Sequence, residues 1–227
     1  MVSMNNNPDL KRVKRITESI IGLPTLPTVV SRIIELVDNP RTSANSLARF
    51  ISADQALTAR ILKLANSAYY GFPREISTVN MAIVVLGFNT VKDMGLSLSV
   101  FDAFKNKDNN SIFDMNRFWE HSIACGVASR LLARTYHSRN AAEAFVAGLL
   151  HDIGKVILNQ YFQQEFTKIM QLCSDGTVLE EAEIMVTGAT HAQIGAWLAE
   201  KWNLPKIISE TIQYHHTPWE STKDTVF

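Results

Sequence analysis

The segment AFVAGLLHDIGKVIL, Ala144 to Leu158, decides how this chain is read. Its apolar residues recur three and four apart, the spacing of one face of an α-helix. Amid them stand His151 and Asp152, side by side, where packing alone asks for neither. His151 extends the face of Ala144 and Gly148, and Asp152 extends that of Phe145 and Leu149, so both should leave the helix end directed inward.

Working outward, nearly every stretch has a helical period and hardly any alternates strictly, so the expected fold is all-α. Upstream, Asp9 suits the cap of a helix to about Ile21, and GLPTLP forces an extended turn because each proline biases its predecessor away from the α region. Helices are expected at Val29 to Val37, Ala44 to Ser52 and, with Asp54 as N-cap, Gln55 to Asn66. AYYGFP reads as a loop. TVNMAIVVLG and TVKDMGLSLSVFDAF read as two helices broken at GFN; the first is rich in β-branched residues, and its neighbours favour helix over strand. The polar KNKDNNS, Lys105 to Ser111, divides an N-terminal lobe, residues 1–112, from a second lobe, residues 113–227.

Beyond it, a long helix runs from about Asp114 to Tyr136. Thr177 with Glu180, and Thr190 with Gln193, fit the capping box and start helices near Val178 and His191. Pro205 suits the first turn of a last helix ending at His215 and His216.

Composition narrows the function. The 227 residues are 46% hydrophobic and 19% charged, as a globular protein is, and 22 basic side chains balance 22 acidic ones. No global field draws the chain to nucleic acid or an anionic membrane, and SADQALTARILKLANS offers only Arg60 and Lys63 as phosphate contacts, so no nucleic-acid partner is expected. The longest apolar run, MAIVVLG, is too short to cross a bilayer, and MVSMNNNPDLKRVKR lacks the apolar core of a signal peptide. The expectation is a soluble cytoplasmic protein, with Cys125 and Cys173 as reduced thiols.

All six histidines lie at or after position 121. Phe118, His121, Cys125, Ala128 and Leu132 form a stripe that should turn His121 into the second lobe. In the last helix Ile208, Ile212 and His216 share one stripe and Ile207, Thr211 and His215 the next, while His191 occupies a first turn whose dipole favours neutral imidazole. Burying several imidazoles and a carboxylate costs a few kcal/mol each without a compensating partner, and a divalent metal supplies one. Zinc, manganese or iron suits these donors, as one ion or as two sharing Asp152. Such a site would activate water toward a phosphoester, with Lys155 one turn after His151 placed to meet a phosphate oxygen. Each residue also has a plainer role open to it. His121 suits a hydrogen-bonded core position, His215 and His216 the helix dipole, Asp152 an N-cap, Lys155 a solvated surface, and His137 in TYHSRN a helix end.

At these residues the chain resembles the HD superfamily of metal-dependent phosphohydrolases and, more closely, the HDOD domain, a bacterial signalling module related to the HD-GYP phosphodiesterases. LPTLP, ISADQALTARILKLANSAYYG and ISTVNMAIVVLGFNTV carry the resemblance in the first lobe, and FWEHS, AFVAGLLHDIGKVIL, THAQIGAWLAEKWNLP and IQYHHTPW in the second. It implies a multi-helix fold in which the N-terminal helical lobe packs on an HD-like lobe. It places the metal ligands on His121, His151, Asp152, His191, His215 and His216, and matches Lys155 to the lysine after the His-Asp pair; Asp152 and Lys155 would be catalytic if the site is active. Three departures stand out. Arg117 occupies a position that is a glutamate ligand in some HD-GYP proteins, TPWEST replaces the GYP loop, and the chain reaches Phe227 without the final ligand aspartate, Asp224 being too close to His216. HDOD proteins are generally regulatory, so the resemblance implies a signalling module that binds a partner protein or small nucleotide, whereas the histidine set points to a metal-dependent phosphohydrolase acting on a nucleotide or cyclic dinucleotide.

Overall fold

A computed structural model describes residues 43–68, 70–104, 113–136 and 141–221, with the single residue 32. Every regular element among the described residues is helical. They fall into two compact units, one within Pro24–Asn106 and one within Lys107–Phe227. The helices expected at 9–21 and 29–37, the GLPTLP turn, the KNKDNNS boundary, His137 and Asp224 lie outside the described residues.

The first unit contains α1 (Ala44–Ser52), α2 (Gln55–Ala65), α3 (Val79–Leu86) and α4 (Phe88–Phe104). Each of the first three starts on a residue whose side-chain oxygen takes an otherwise unpaired backbone N–H: Ser43 from Ser46, Asp54 from Leu57 and Thr78 from Met81. The β-branched α3 is a helix because Val79, Ala82 and Ile83 fall on one face and bury against Leu47, Ile51 and Ile61. The break before α4 falls on Gly87, whose φ of 89° and ψ of 153° only glycine adopts readily. Asn66 closes the loop after α2. Its amide donates to the carbonyls of Leu62 and Ile76 at 2.9 and 2.8 Å, and its oxygen accepts from Ile76 N–H at 2.7 Å.

The second unit runs through α5 (Met115–Thr135), α6 (Ala141–Leu150), α7 (Ile153–Tyr161), α8 (Gln163–Ser174), α9 (Leu179–Thr187), α10 (His191–Lys201) and α11 (Lys206–Tyr214), then a 3-10 turn at Pro218–Glu220. Asp114 caps α5, and Thr190 with Gln193 forms the expected capping box of α10. The helices approach closely through glycines. A Cβ on Gly126 would lie 2.9 Å from the Phe145 carbonyl oxygen, and one on Gly148 would lie 2.8 Å from that of Cys125.

Two expectations are corrected here. The buried face of α5 is Phe118, Trp119, Ser122, Gly126 and Ala133, not the stripe through His121, Cys125, Ala128 and Leu132. The small residues Ser122 and Gly126 let α5 lie against α6, and this rotates the expected stripe to a flank, where Leu132 is 59% exposed. Nor do Thr177 and Glu180 form a capping box: α9 begins at Leu179 after an extended Val178, with no side-chain cap. The turn through Gly176, at φ 97°, instead commits Thr177 N–H to the Leu172 carbonyl at 3.0 Å, leaving Glu180 for another partner.

Candidate metal centre

The HDIGK stretch breaks the apolar helix into α6 and α7, and Asp152 stands at the break. It holds the N-cap position of α7, yet its carboxylate makes no cap hydrogen bond. The carboxylate faces histidines instead. Oδ2 accepts from Lys155 Nζ at 2.7 Å and lies 3.3 Å from His151 Nε2 and 3.7 Å from His121 Nε2. Oδ1 lies 3.2 Å from His191 Nε2 and 3.6 Å from His215 Nε2.

A further set of acceptors fixes which ring nitrogens carry protons. His151 Nδ1 is 2.8 Å from the Gly148 carbonyl oxygen and His215 Nδ1 is 2.7 Å from that of Ile212. His191 Nδ1 meets both oxygens of Glu183, at 2.9 and 2.8 Å, and His216 Nδ1 lies 3.0 Å from Glu180 Oε1. A carbonyl or carboxylate oxygen only accepts, so each Nδ1 is the donor and each neutral ring keeps a lone pair on Nε2. Those lone pairs point at one another. His216 Nε2 lies 3.1 Å from His191 Nε2, which lies 3.3 Å from His215 Nε2. Asp152 Oδ1, although buried, has no hydrogen-bond donor, since the rings beside it offer lone pairs. Asp152, His191, His215 and His216 each present one ligand atom within 4.8 Å of the others, and can hold a metal. The orphaned oxygen and the facing imidazoles fit a divalent cation of the zinc, manganese or iron kind.

The electrostatics agree. Burial alone would raise the Asp152 pKa, but the imidazoles of His151, His191 and His215, which become donors toward it once protonated on Nε2, hold it well below the usual carboxylate range. For His191, burial pushes the imidazole down, yet Asp152, which would accept from a protonated Nε2, and Glu183, which accepts from Nδ1, outweigh it and the net direction is up. The neutral form expected from the helix dipole is therefore opposed by two carboxylates, so that a proton competes with a cation for the same lone pair.

The structure thus brings together His151, Asp152, His191, His215 and His216. His121 reaches the cluster from α5, but its side chain is 55% exposed instead of turned into the lobe. Lys155 is neither a free surface charge nor aimed outward, being committed to Asp152. Arg117 pairs with Asp114 at 3.5 Å on the surface. Glu183 is the residue that sequence reasoning missed. It is fully buried and accepts from both the backbone and the ring of His191. In LEEAEIMV it reads as one more solvated glutamate, and only Ala182 beside it hints at a buried face. Cys125, His151 and His215 also border a cavity of about 610 Å³ whose other walls include Leu132, Ala133 and Ala147. No described helix is long and apolar enough to cross a membrane.

Comparison with known proteins places this geometry in context. The HDOD domain pattern matches residues 23–218. The chain resembles the crystal structure of an HDOD domain protein with unknown function from Geobacter sulfurreducens, with TM-score 0.86 and 30% identity over 93% of this chain and 71% of that one. A candidate phosphohydrolase from Shewanella amazonensis SB2B matches with TM-score 0.78 and 26% identity, covering 95% of this chain and 74% of that one. A candidate signal transduction protein from Marinobacter aquaeolei VT8 matches with TM-score 0.79 and 27% identity, over 94% and 50% of the two chains. An uncharacterized protein of Treponema pallidum (strain Nichols) is 26% identical over 208 residues, and the chain spans 40% of that protein's length.

Proposed function

The chain belongs to the HDOD domain family, and on that premise we propose that it is a bacterial cytoplasmic signal-transduction module whose metal-bearing site binds a small nucleotide or a partner protein without efficient turnover. The observation that carries the metal is the convergence of imidazole lone pairs on an unpartnered buried carboxylate oxygen. Asp152, His191, His215 and His216 would hold the ion, with His151 and His121 beside them. When bound, it would polarise a phosphoryl oxygen and lower the pKa of a water. The residues of the chain orient rather than react. Glu183 fixes the ring of His191, and the Gly148 and Ile212 carbonyls fix those of His151 and His215.

Weak turnover is supported by Lys155, tied to Asp152 instead of free to meet a phosphate, and by Arg117, a cation where the HD-GYP resemblance would put a glutamate ligand. The signalling role draws support from the Marinobacter relative, and the reducing compartment from two free cysteines. In this reading residues 1–112 form a helical lobe that serves the HD-like lobe, 113–227.

The test is metal content by plasma mass spectrometry for wild type and Asp152→Ala, followed by assays of the metal-loaded protein on a generic phosphodiester and cyclic di-GMP. The expected result is stoichiometric metal that the variant loses, with at most slow turnover. The near-complete donor set and the Shewanella relative favour a second reading, a metal-dependent phosphohydrolase. Robust hydrolysis abolished by Asp152→Ala would replace the first reading with the second.

A further inference from the structure

Helix α5 carries His121 and Cys125 one turn apart, on the flank beside the α6–α7 break. Cys125 Sγ lies 3.5 Å from His121 Nε2, which lies 3.3 Å from His151 Nε2. Asp152 Oδ2 is 3.3 Å from the latter nitrogen and 3.7 Å from the former. Zinc bonds of about 2.0–2.1 Å to nitrogen and about 2.3 Å to sulfur set tetrahedral edges of roughly 3.3–3.4 Å between nitrogens and roughly 3.6 Å between nitrogen and sulfur. The Cys125–His121 and His121–His151 separations match those edges, and the donor atoms of His121, Cys125 and His151 all lie within 4.8 Å of one another. His151 keeps a lone pair on Nε2 because its Nδ1 donates to Gly148. An ionised carboxylate oxygen has more than one acceptor site, so Oδ2 can serve both Lys155 and a metal.

We propose that Cys125 is a metal ligand, joining His121, His151 and the shared Asp152 at the second of the two metal positions the resemblance implies and giving that position a preference for zinc. This rests on the metal reading of the first site, formed by Asp152, His191, His215 and His216. The close approach of α5 to α6, which the absence of a Cβ at Gly126 and Gly148 permits, brings the thiol within range. On zinc binding the Cys125 S–H proton goes to solvent and sulfur donates an electron pair to the ion; nothing is oxidised or reduced. A sulfur donor selects zinc over manganese or magnesium, whereas the first site offers only nitrogen and oxygen, so the two positions differ in metal preference. A proton shared between His121 and His151, with the thiol hydrogen-bonded to His121, accounts for the same distances without a second metal and is the competing arrangement.

Cobalt(II) titration of the metal-free full chain separates these outcomes. The expected result is two equivalents bound, with a thiolate-to-cobalt charge-transfer band in the near ultraviolet. The chain has two cysteines, so a band that persists in Cys173→Ser assigns the sulfur to Cys125 without altering the site. Cys125→Ser should abolish the band and weaken the second equivalent by at least about tenfold, with the first equivalent kept. Cobalt bound without the band, or a band lost in Cys173→Ser, overturns the thiolate site and leaves the first site standing. No cobalt bound at all overturns both.

Discussion

Gly154 is the position where one added carbon should tell most about this site. It lies in the first turn of α7, and a Cβ there would press inside van der Waals contact with the His191 carbonyl oxygen and lie 2.8 Å from its carbon and 3.0 Å from Gly195 N. All three are backbone atoms, so no side chain can swing aside. Overpacking costs roughly 1–3 kcal/mol, and contact with backbone places Gly154→Ala near the upper end. Alanine recovers about 1 kcal/mol of helix propensity, leaving a net loss of about 2 kcal/mol. For a chain of this size that is a fall of about 4–8 °C in Tm. All four tryptophans, Trp119, Trp197, Trp202 and Trp219, lie in the second unit, so tryptophan fluorescence follows its melting selectively. Relief of the clash must move α7 away from the first turn of α10, separating Asp152 from His191, so metal affinity should also drop. A variant that melts at or above the wild-type temperature, as propensity alone dictates, refutes the reasoning.

Glu183→Gln preserves shape but leaves one acceptor for the two donors of His191, so metal affinity should fall about 10–100-fold with an unchanged far-ultraviolet circular dichroism spectrum. Unchanged affinity in a calorimetric titration would show that Glu183 does not orient the ring. Removing metal with a chelator should lower the fluorescence-detected melting point, because an ion held at a hundred times its Kd contributes about 2.7 kcal/mol; identical melts with and without chelator would count against an occupied site. In the first unit, Asn66→Ala removes three hydrogen bonds around the 66–76 loop and should cost about 2–3 kcal/mol, read by circular dichroism under urea. A midpoint within error of wild type would deny the clip that role.

Helical period and capping chemistry are local, and they were legible in the sequence. Ser-Ala-Asp before α2 and Thr-His-Ala-Gln at α10 each name their own N-terminus, and the structure places caps at Asp54 and Thr190. Thr177 and Glu180 follow the same rule and miss, because the turn at Gly176 engages one and His216 the other. The convergence of His151, Asp152, His191, His215 and His216 could be read from helix faces, since each lies at a helix end with a defined direction. The orientation of α5 could not. Which face it buries depends on glycine-mediated proximity to α6, and a hydrophobic stripe gives no measure of how closely two backbones approach. Glu183 was hidden for a related reason: a buried carboxylate looks like a surface one until its histidine partner, eight residues on, folds back onto it.

The four donors of the first site also have a meaning for the chain as a polymer. Asp152, His191, His215 and His216 come from the α6–α7 break, the start of α10 and the end of α11, so an ion bound among them is a cross-link between distant points of one strand. Closing a flexible loop of about 40 residues, the span between the first two of these ligands, costs on the order of 3 kcal/mol of chain entropy. The folded helices have already met that cost, and the ion locks what they close. Loading or stripping the site therefore changes how tightly three helix ends are tied together, and metal occupancy becomes a mechanical state of the lobe that another molecule can sense.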